Sequence, residues 1–279
     1  MLTTDPDRIA SLEEELSRTK AELAEMESRI GRELEAAAVI QRSLLPTQSP
    51  FLKGLRTSWR YQPSCHLGGD SLNVFGLNDR HVGFYLLDVS GHGLAAALMS
   101  VAVSHFLSPY SGLSFLREGS VGSVASPADV IGRLNQQFAS HPEIRQFFTI
   151  VYGVLNTTTH ELAYVSAGHP PCILLPQSGK ESFLNSTGLP VGVDANAHYD
   201  MHVAQMRPGD RLFLYSDGVV EAASKKEGDF GETRLLEILR ANASLSLSEG
   251  LDRLTDSLKV WRGEDSLDDD VSLLALECV

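Results

Sequence analysis

Residues 82–99 read VGFYLL-DVSGHG-LAAALM: an apolar run at Val82–Leu87, then Asp88-Val89-Ser90-Gly91-His92-Gly93, then an Ala-rich segment ending at Met99. The apolar run is continuous and bounded by polar residues, the pattern of a buried strand. Gly93–Leu107 is mostly apolar and Ala-rich and reads as a helix. Asp88 therefore stands where a buried strand meets a turn. A carboxylate in that place is costly unless it is paired or bound to a metal.

The same arrangement recurs along the chain. Asp70 closes Gly68-Gly69-Asp70, Asp217 follows the run LFLY in Ser216-Asp217-Gly218, and Asp268, Asp269 and Asp270 precede VSLLALE. Lys and Arg are scarce near all of these motifs, which argues against ion pairing. Hard oxygen ligands without thiolates suit magnesium or manganese. Converging carboxylates with no Cys or Ser nucleophile fit two-metal hydrolysis, in which the ions hold and deprotonate a water that attacks phosphorus in line. Each motif alone is ordinary, since Asp-Gly is a common turn and a triple Asp is usually a solvated run. Their order and context carry the weight.

Outward from these motifs, strands are expected at Leu55–Tyr61, Phe147–Leu155, Glu161–Ser166, Pro171–Leu175, Tyr199–Val203, Arg211–Tyr215 and Val271–Glu277. NTTTH joins the second and third as a hairpin, and RPGD joins the fifth and sixth as another. Helices are expected at Glu232–Arg240 and Leu247–Trp261, and loops at Ser108–Ser126 and Ser224–Phe230. Short turns between neighbouring strands, with helices grouped apart, predict an α+β fold with antiparallel sheets.

Residues 8–45 have a different texture, with no Pro, one Gly, and much Glu, Ala, Leu and Arg. Ile9, Leu12, Leu16, Leu23, Met26, Ile30, Ala37, Ile40 and Leu44 keep a heptad phase, with Thr19 and Glu33 as polar faults, and Pro46 ends the pattern. The repeat runs for about five heptads, which predicts a dimeric coiled coil rather than a solvated helix lying on its own domain. The chain then divides into a regulatory helix at 1–46 and a globular domain at 47–279.

The composition closes off other classes. The 279 residues carry 23 Lys+Arg against 36 Asp+Glu, a net charge of −13. That balance argues against a nucleic-acid binder, which needs a basic face. No apolar run is long enough to span a membrane. Charge near the N-terminus, where a signal peptide is apolar, argues against secretion. Cys65, Cys172 and Cys278 are few, odd in number and widely spaced, so the expectation is buried free thiols in a reducing, cytoplasmic setting.

In order, SLLP (43–46), GGD (68–70), DVSGHGLAAALM (88–99), FFTIVYGVL (147–155), YVSAGHPP (164–171), GLPVGV (188–193), PGDRLFLYSDGVVEA (208–222), FGE (230–232) and DDVSLLALE (269–277) resemble the SpoIIE/RsbU-type branch of the PPM-type (PP2C-like) metal-dependent protein serine/threonine phosphatases. The resemblance covers residues from about 34 to the end. It implies an α-β-β-α sandwich of two antiparallel sheets flanked by helices, with a two-ion Mn2+ or Mg2+ site at one edge. It also implies a bacterial signalling protein that dephosphorylates a STAS-domain anti-sigma-factor antagonist in partner switching. The metal ligands it implies are Asp70, Asp88, the main-chain carbonyl of Val89, and Asp217. Its last ligand pattern falls on Asp269-Asp270-Val271-Ser272, with Asp269 ahead of Asp270. Asp70, Asp88, Asp217 and Asp269 are thus the catalytic set.

Three departures stand out. Asn73 takes a place where many relatives have another Asp. Ser90 stands where eukaryotic relatives carry a proton-donating His, while His92 lies two residues further on and is expected to shape the turn. The eukaryotic phosphate-gripping Arg has no match. His169, between Gly168 and Pro170, reads as a turn residue before it reads as a base. Two other functions compete. A nucleotidyl cyclase would explain GGD, but Ser71 and Leu72 follow it and leave YSDG and DDVSL unexplained. A catalytically inactive phosphatase-fold scaffold is opposed by the intact carboxylates. A sensor or receiver domain acting through the N-terminal helix completes the expected partners.

Overall fold

The computed structural model describes residues 6–46, 52–117, 123–139, 146–185, 188–225, 227–263 and 267–279. The expected boundary after residue 46, and parts of the two expected loops, lie outside these residues. In chain order the elements are helix α1 (Pro6–Ser43), strands β1 (Leu55–Gln62), β2 (Ser71–Gly76) and β3 (His81–Val89), and helices α2 (Leu94–Phe106) and α3 (Pro127–Ala139). Then come strands β4 (Phe148–Asn156), β5 (Glu161–Ala167), β6 (Cys172–Leu175), β7 (Ser182–Leu184), β8 (His202–Gln205) and β9 (Arg211–Tyr215). Helix α4 (Asp217–Val220), the short strands β10 (Ala223–Ser224) and β11 (Gly228–Asp229), helices α5 (Gly231–Ala241) and α6 (Leu247–Arg262), and strand β12 (Val271–Cys278) complete it.

Side chains alternate across a strand, and β3 shows what this does here. Phe84 and Leu86 are buried with Leu212, Leu214, Leu274 and Leu276 of the other sheet. Tyr85, Leu87 and Val89 are buried with Met99 and Val103 of α2 and Ile131 and Leu134 of α3. Both faces are covered, so the run needs no polar alternation. On the far side, Phe213, Tyr215 and Leu273 pack with Leu235, Leu251, Leu254 and Leu258 of α5 and α6. The layers are therefore helix, sheet, sheet, helix. The sheets run β2-β3-β4-β5-β8 and β1-β12-β9-β6-β7, and their strand pairs are antiparallel. Each large side chain fully buried in these layers contributes roughly 1.5–3 kcal/mol. This is the α+β sandwich the sequence predicts.

One expected pairing is wrong. β8 and β9 do not form a hairpin around Pro208-Gly209; β8 pairs with β5, and β9 with β12 and β6. Met206 is fully buried in the layer between the sheets, so the chain crosses from one sheet to the other there. Asp210 secures the crossing, accepting from the main-chain N–H groups of Gln177 (2.9 Å) and Arg207 (2.8 Å). Strands β2 and β7 and helices α3 and α4 are additions to the expected set, and the expected loop Ser224–Phe230 carries the short antiparallel pair β10–β11.

Helix α1 is continuous, and only its C-terminal end docks. Leu34, Ala37 and Ala38 pack on Leu67 and on Ala97 of α2, and Leu45 joins the inter-sheet core. Ile9, Leu12, Leu16, Leu23, Met26 and Ile30 stay 42–56% exposed. No described helix is long and apolar enough to cross a membrane. All three cysteines are free; Cys172 and Cys278 are buried, but Cys65 is exposed, against expectation, on the loop between β1 and β2.

Candidate metal centre

The sandwich brings the acidic motifs to one edge. β3 delivers Asp88 as its penultimate residue, opposite Thr149 of β4. β9 ends at Tyr215 and β12 starts at Val271, beside each other in the other sheet, so Asp217 and Asp269-Asp270 emerge together. The loop from β1 to β2 crosses between the sheets at the same edge and carries Gly68-Gly69-Asp70.

Two glycines permit the close approach. A Cβ on Gly69 would stand 2.9 Å from the Val89 carbonyl oxygen, so only a bare backbone lets the Asp70 loop lie against that carbonyl. A Cβ on Gly218 would overlap the carbonyl oxygen of Asp270. The Ser216 hydroxyl ties the same two segments, donating to the Asp270 carbonyl (3.2 Å) and accepting from the Ser272 N–H (3.0 Å).

The carboxylates differ in what they do. Asp70 is 2% exposed, and neither of its buried oxygens has a hydrogen-bond partner among the described residues. Burial first, then the charges of Asp88 and Asp270, hold it well above the usual carboxylate range, opposed in part by the Ser272 and Ser216 hydroxyls. Asp88 is raised to about 7 by burial, then by Asp217 and Asp269. Asp217 is raised by burial, then by Asp269 and Glu221. Asp269 is exposed, and one of its oxygens accepts from the Asp270 N–H (2.8 Å).

Asp270 is occupied otherwise. One oxygen accepts from the N–H (2.7 Å) and hydroxyl (3.0 Å) of Ser64, and the other from the N–H groups of Gly69 (2.7 Å) and Asp70 (3.3 Å). Its carboxylate shapes the loop that presents Asp70. From the other side Gln41 of α1 donates to the Gly68 carbonyl (2.7 Å) and accepts from the Gly68 N–H (3.2 Å).

None of Asp70, Asp88, Asp217, Asp269 and Asp270 is in an ion pair among the described residues. As the side chains stand, no three described His, Cys, Asp or Glu residues are gathered closely enough to enclose an ion. The residues nevertheless fit one: orphaned buried carboxylate oxygens, an apposed main-chain carbonyl, and acids raised by burial and by neighbouring carboxylates are what a hard divalent cation would satisfy. A cavity of about 160 Å³ opens beside Asp269, lined by Gly218, Glu221, Arg262 and Asp268. Larger clefts, of about 640 and 980 Å³, lie at α5–α6 and beside β1, away from the carboxylates.

The family model of Stage II sporulation protein E (SpoIIE) matches residues 78–279. The chain belongs to the SpoIIE family. It is 29% identical over 262 residues to Protein IcfG of Synechocystis sp., covering 88% of this chain and 41% of that protein. It is 29% identical over 194 residues to phosphoserine phosphatase RsbP of Bacillus subtilis, covering 68% and 45%, so it spans less than half of either relative. With phosphoserine phosphatase RsbU of Bacillus subtilis it shares 26% over 254 residues, 90% of this chain and 71% of that one. Its fold is that of the SiaA PP2C domain of Pseudomonas aeruginosa, with a TM-score of 0.76 at 23% identity over 91% of this chain and 98% of that one.

The SpoIIE match begins after Asp70, whose place at the edge rests on geometry alone. The departures from the family pattern also have places. Asn73 accepts from the neighbouring Val74 N–H (2.8 Å) on β2. Ser90 clamps the DVSGHG turn to β4, donating its N–H to the Phe147 carbonyl (2.9 Å) and accepting from the Phe147 N–H (3.1 Å). His92 is exposed. His169 follows the bend at Gly168 and is interior, 2% exposed. Ser64 and Gln41 are supporting residues that the motifs do not announce.

Proposed function

We propose that this chain is a divalent-metal-dependent phosphatase acting on phosphoserine or phosphothreonine in a protein, namely a STAS-domain anti-sigma-factor antagonist in bacterial, cytoplasmic partner switching. The observation that carries this reading is the convergence of Asp70, Asp88 and Asp217 from two sheets at one edge, each raised first by burial and then by neighbouring carboxylates, with no Lys or Arg in an ion pair to them among the described residues. The activity in the names of RsbP and RsbU supports it. So does the fold shared with RsbX, solved in complex with magnesium (TM-score 0.57, 18% identity).

In this reading Asp70, Asp88, the Val89 carbonyl, Asp217 and Asp269 hold two Mn2+ or Mg2+ ions. When bound, such ions supply the charge neutralisation and the acidified water that phosphate-ester hydrolysis requires. Asp270 does not hold metal; it fixes the main chain at Gly69 and Asp70. Neither buried cysteine acts as nucleophile: burial pushes the Cys172 thiol up to about 12 and Cys278 to about 11, so neither forms a thiolate at neutral pH. His169 is not the proton donor, because burial lowers it to about 3 and keeps the imidazole neutral. Residues 47–279 form the hydrolytic domain. Residues 1–46 regulate it, pairing with a second copy along the exposed stripe and answering to an upstream sensor or receiver domain.

The test is phosphate release from a phosphorylated STAS protein by the full chain. Release with Mn2+, none in EDTA, and at least a 100-fold loss in Asp217→Ala are expected. Equal release in EDTA and Mn2+ ends the metal reading; a folded, metal-binding chain with no phosphatase activity favours the scaffold.

A further inference from the structure

His169 sits within the four-residue crossover 168–171 that takes the chain from β5 in one sheet to β6 in the other. The crossover is held from outside: the Gly168 N–H donates to the Gly188 carbonyl (2.8 Å), and Val191 and Phe148 exchange both main-chain hydrogen bonds (2.8 and 3.0 Å). The imidazole is thus confined between the sheets. Its Nδ1 lies 2.8 Å from the Thr149 hydroxyl, and Thr149 is the cross-strand partner of Asp88. Its other side faces the main chain of Tyr215, two residues before Asp217. The strand register agrees independently: Ile173 opposes Phe213 in the antiparallel β6–β9 pair, so the residues before Ile173 run toward Tyr215 and beyond. Nε2 is buried and has no hydrogen-bond partner among the described residues. A buried ring nitrogen kept short of a partner is destabilising.

We propose that His169 is a positioning residue, a strut that sets the separation of the Asp88 and Asp217 strand ends, hydrogen-bonded to Thr149 on one side and packed, through the β6–β9 register, toward the end of β9 on the other. The proposal rests on the metal-site reading above. A neutral imidazole has one donor and one acceptor. With Nδ1 accepting from the Thr149 hydroxyl, the proton rests on Nε2, on the ring edge that makes no hydrogen bond among the described residues. Groups that orient metal ligands without touching the metal act on affinity as much as on turnover, and that separates a strut from simple packing.

The full chain is compared with Thr149→Val, Thr149→Ser, His169→Gln and the Thr149→Val/His169→Gln double variant. Three quantities are measured: the Mn2+ dissociation constant by calorimetry, the Tm in EDTA, and the Mn2+ concentration giving half-maximal hydrolysis of an aryl phosphate. Thr149→Val keeps the side-chain shape and removes the hydroxyl. It should weaken Mn2+ binding about 10-fold with little change of Tm in EDTA, while Thr149→Ser stays near wild type. The double variant should be no weaker than the weaker single one, because both changes cut the same strut. If His169→Gln does not fold, Thr149→Val decides. Wild-type Mn2+ affinity in a folded Thr149→Val, or loss of the fold in both variants, overturns the proposal. A wild type that binds no Mn2+ overturns the metal reading itself; a wild type that binds Mn2+ alongside indifferent variants overturns only the strut.

Discussion

Asp88 keeps its proton up to a pH of about 7, because water is excluded from it and Asp217 and Asp269 repel its charge. A carboxyl with a raised native pKa binds its proton more tightly folded than unfolded. Its contribution to stability is then fully present below the unfolded value of 3.8 and is lost as pH rises through about 7. Asp70 and Asp217 act in the same direction. His169 acts oppositely: lowered to about 3, its contribution is lost as pH falls from 6.5. Comparing wild type with Asp88→Asn cancels the histidine and isolates the acid. In EDTA at pH 8, Asp88→Asn should melt higher than wild type by on the order of 5 °C, and the difference should vanish near pH 4. With Mn2+ the order should reverse, because the wild type alone gains a ligand-linked increment. A melting-temperature difference that does not change between pH 4 and pH 8 would show that Asp88 is not under electrostatic strain.

Helix α1 meets the centre through one side chain. Gln41 is 8% exposed; it makes both bonds to the Gly68 main chain and also reaches the Ser100 hydroxyl of α2 (3.2 Å). Gln41→Ala leaves a buried N–H and C=O unpaired beside Asp70, at a cost of about 1–3 kcal/mol. We expect a lower Tm and a higher Mn2+ requirement for hydrolysis, measured as an activity titration; an unchanged titration would confine Gln41 to stability. This contact also marks the limit of what the sequence discloses. The buried strand β3 was legible because covering both faces removes its polar positions, and the acidic ligand candidates were legible from their order along the chain. Their supports were not, because they act over long separations: Ser64 serves Asp270 from 206 positions away. The turn at Pro208-Gly209 was read correctly as a turn, but its strands pair with distant partners that turn chemistry does not specify. Helix α3 did carry a signal, since Ser126 before Pro127 accepts from the Asp129 N–H (3.1 Å) as a cap, whereas β2, with Asn73 between apolar residues, follows two glycines and offers none.

At the scale of the whole molecule, α1 is divided between two tasks. Its 38 residues extend about 57 Å; the last three turns dock on Leu67 and Ala97, and the stripe from Ile9 to Ile30 stays in solvent. A long helix with an uncovered heptad seam gains stability by pairing with another, and a parallel homodimer is the proposed pairing. Because Gln41 lies on the same continuous helix, a change in how two copies pair would shift the Gly68 loop, and a two-state element of this kind is what an upstream domain can bias. Leu16→Glu with Leu23→Glu places like charges mid-seam, on side chains 54% exposed in the single chain, so the fold of one copy should survive. The double variant should be monomeric by light scattering, and its Mn2+-dependent turnover should differ from wild type, in a direction set by which pairing is the active one. A wild type that is monomeric at micromolar concentration removes the dimer. A monomeric variant with unchanged turnover keeps the dimer and removes its regulatory role, leaving Gln41 as a structural clamp rather than a relay.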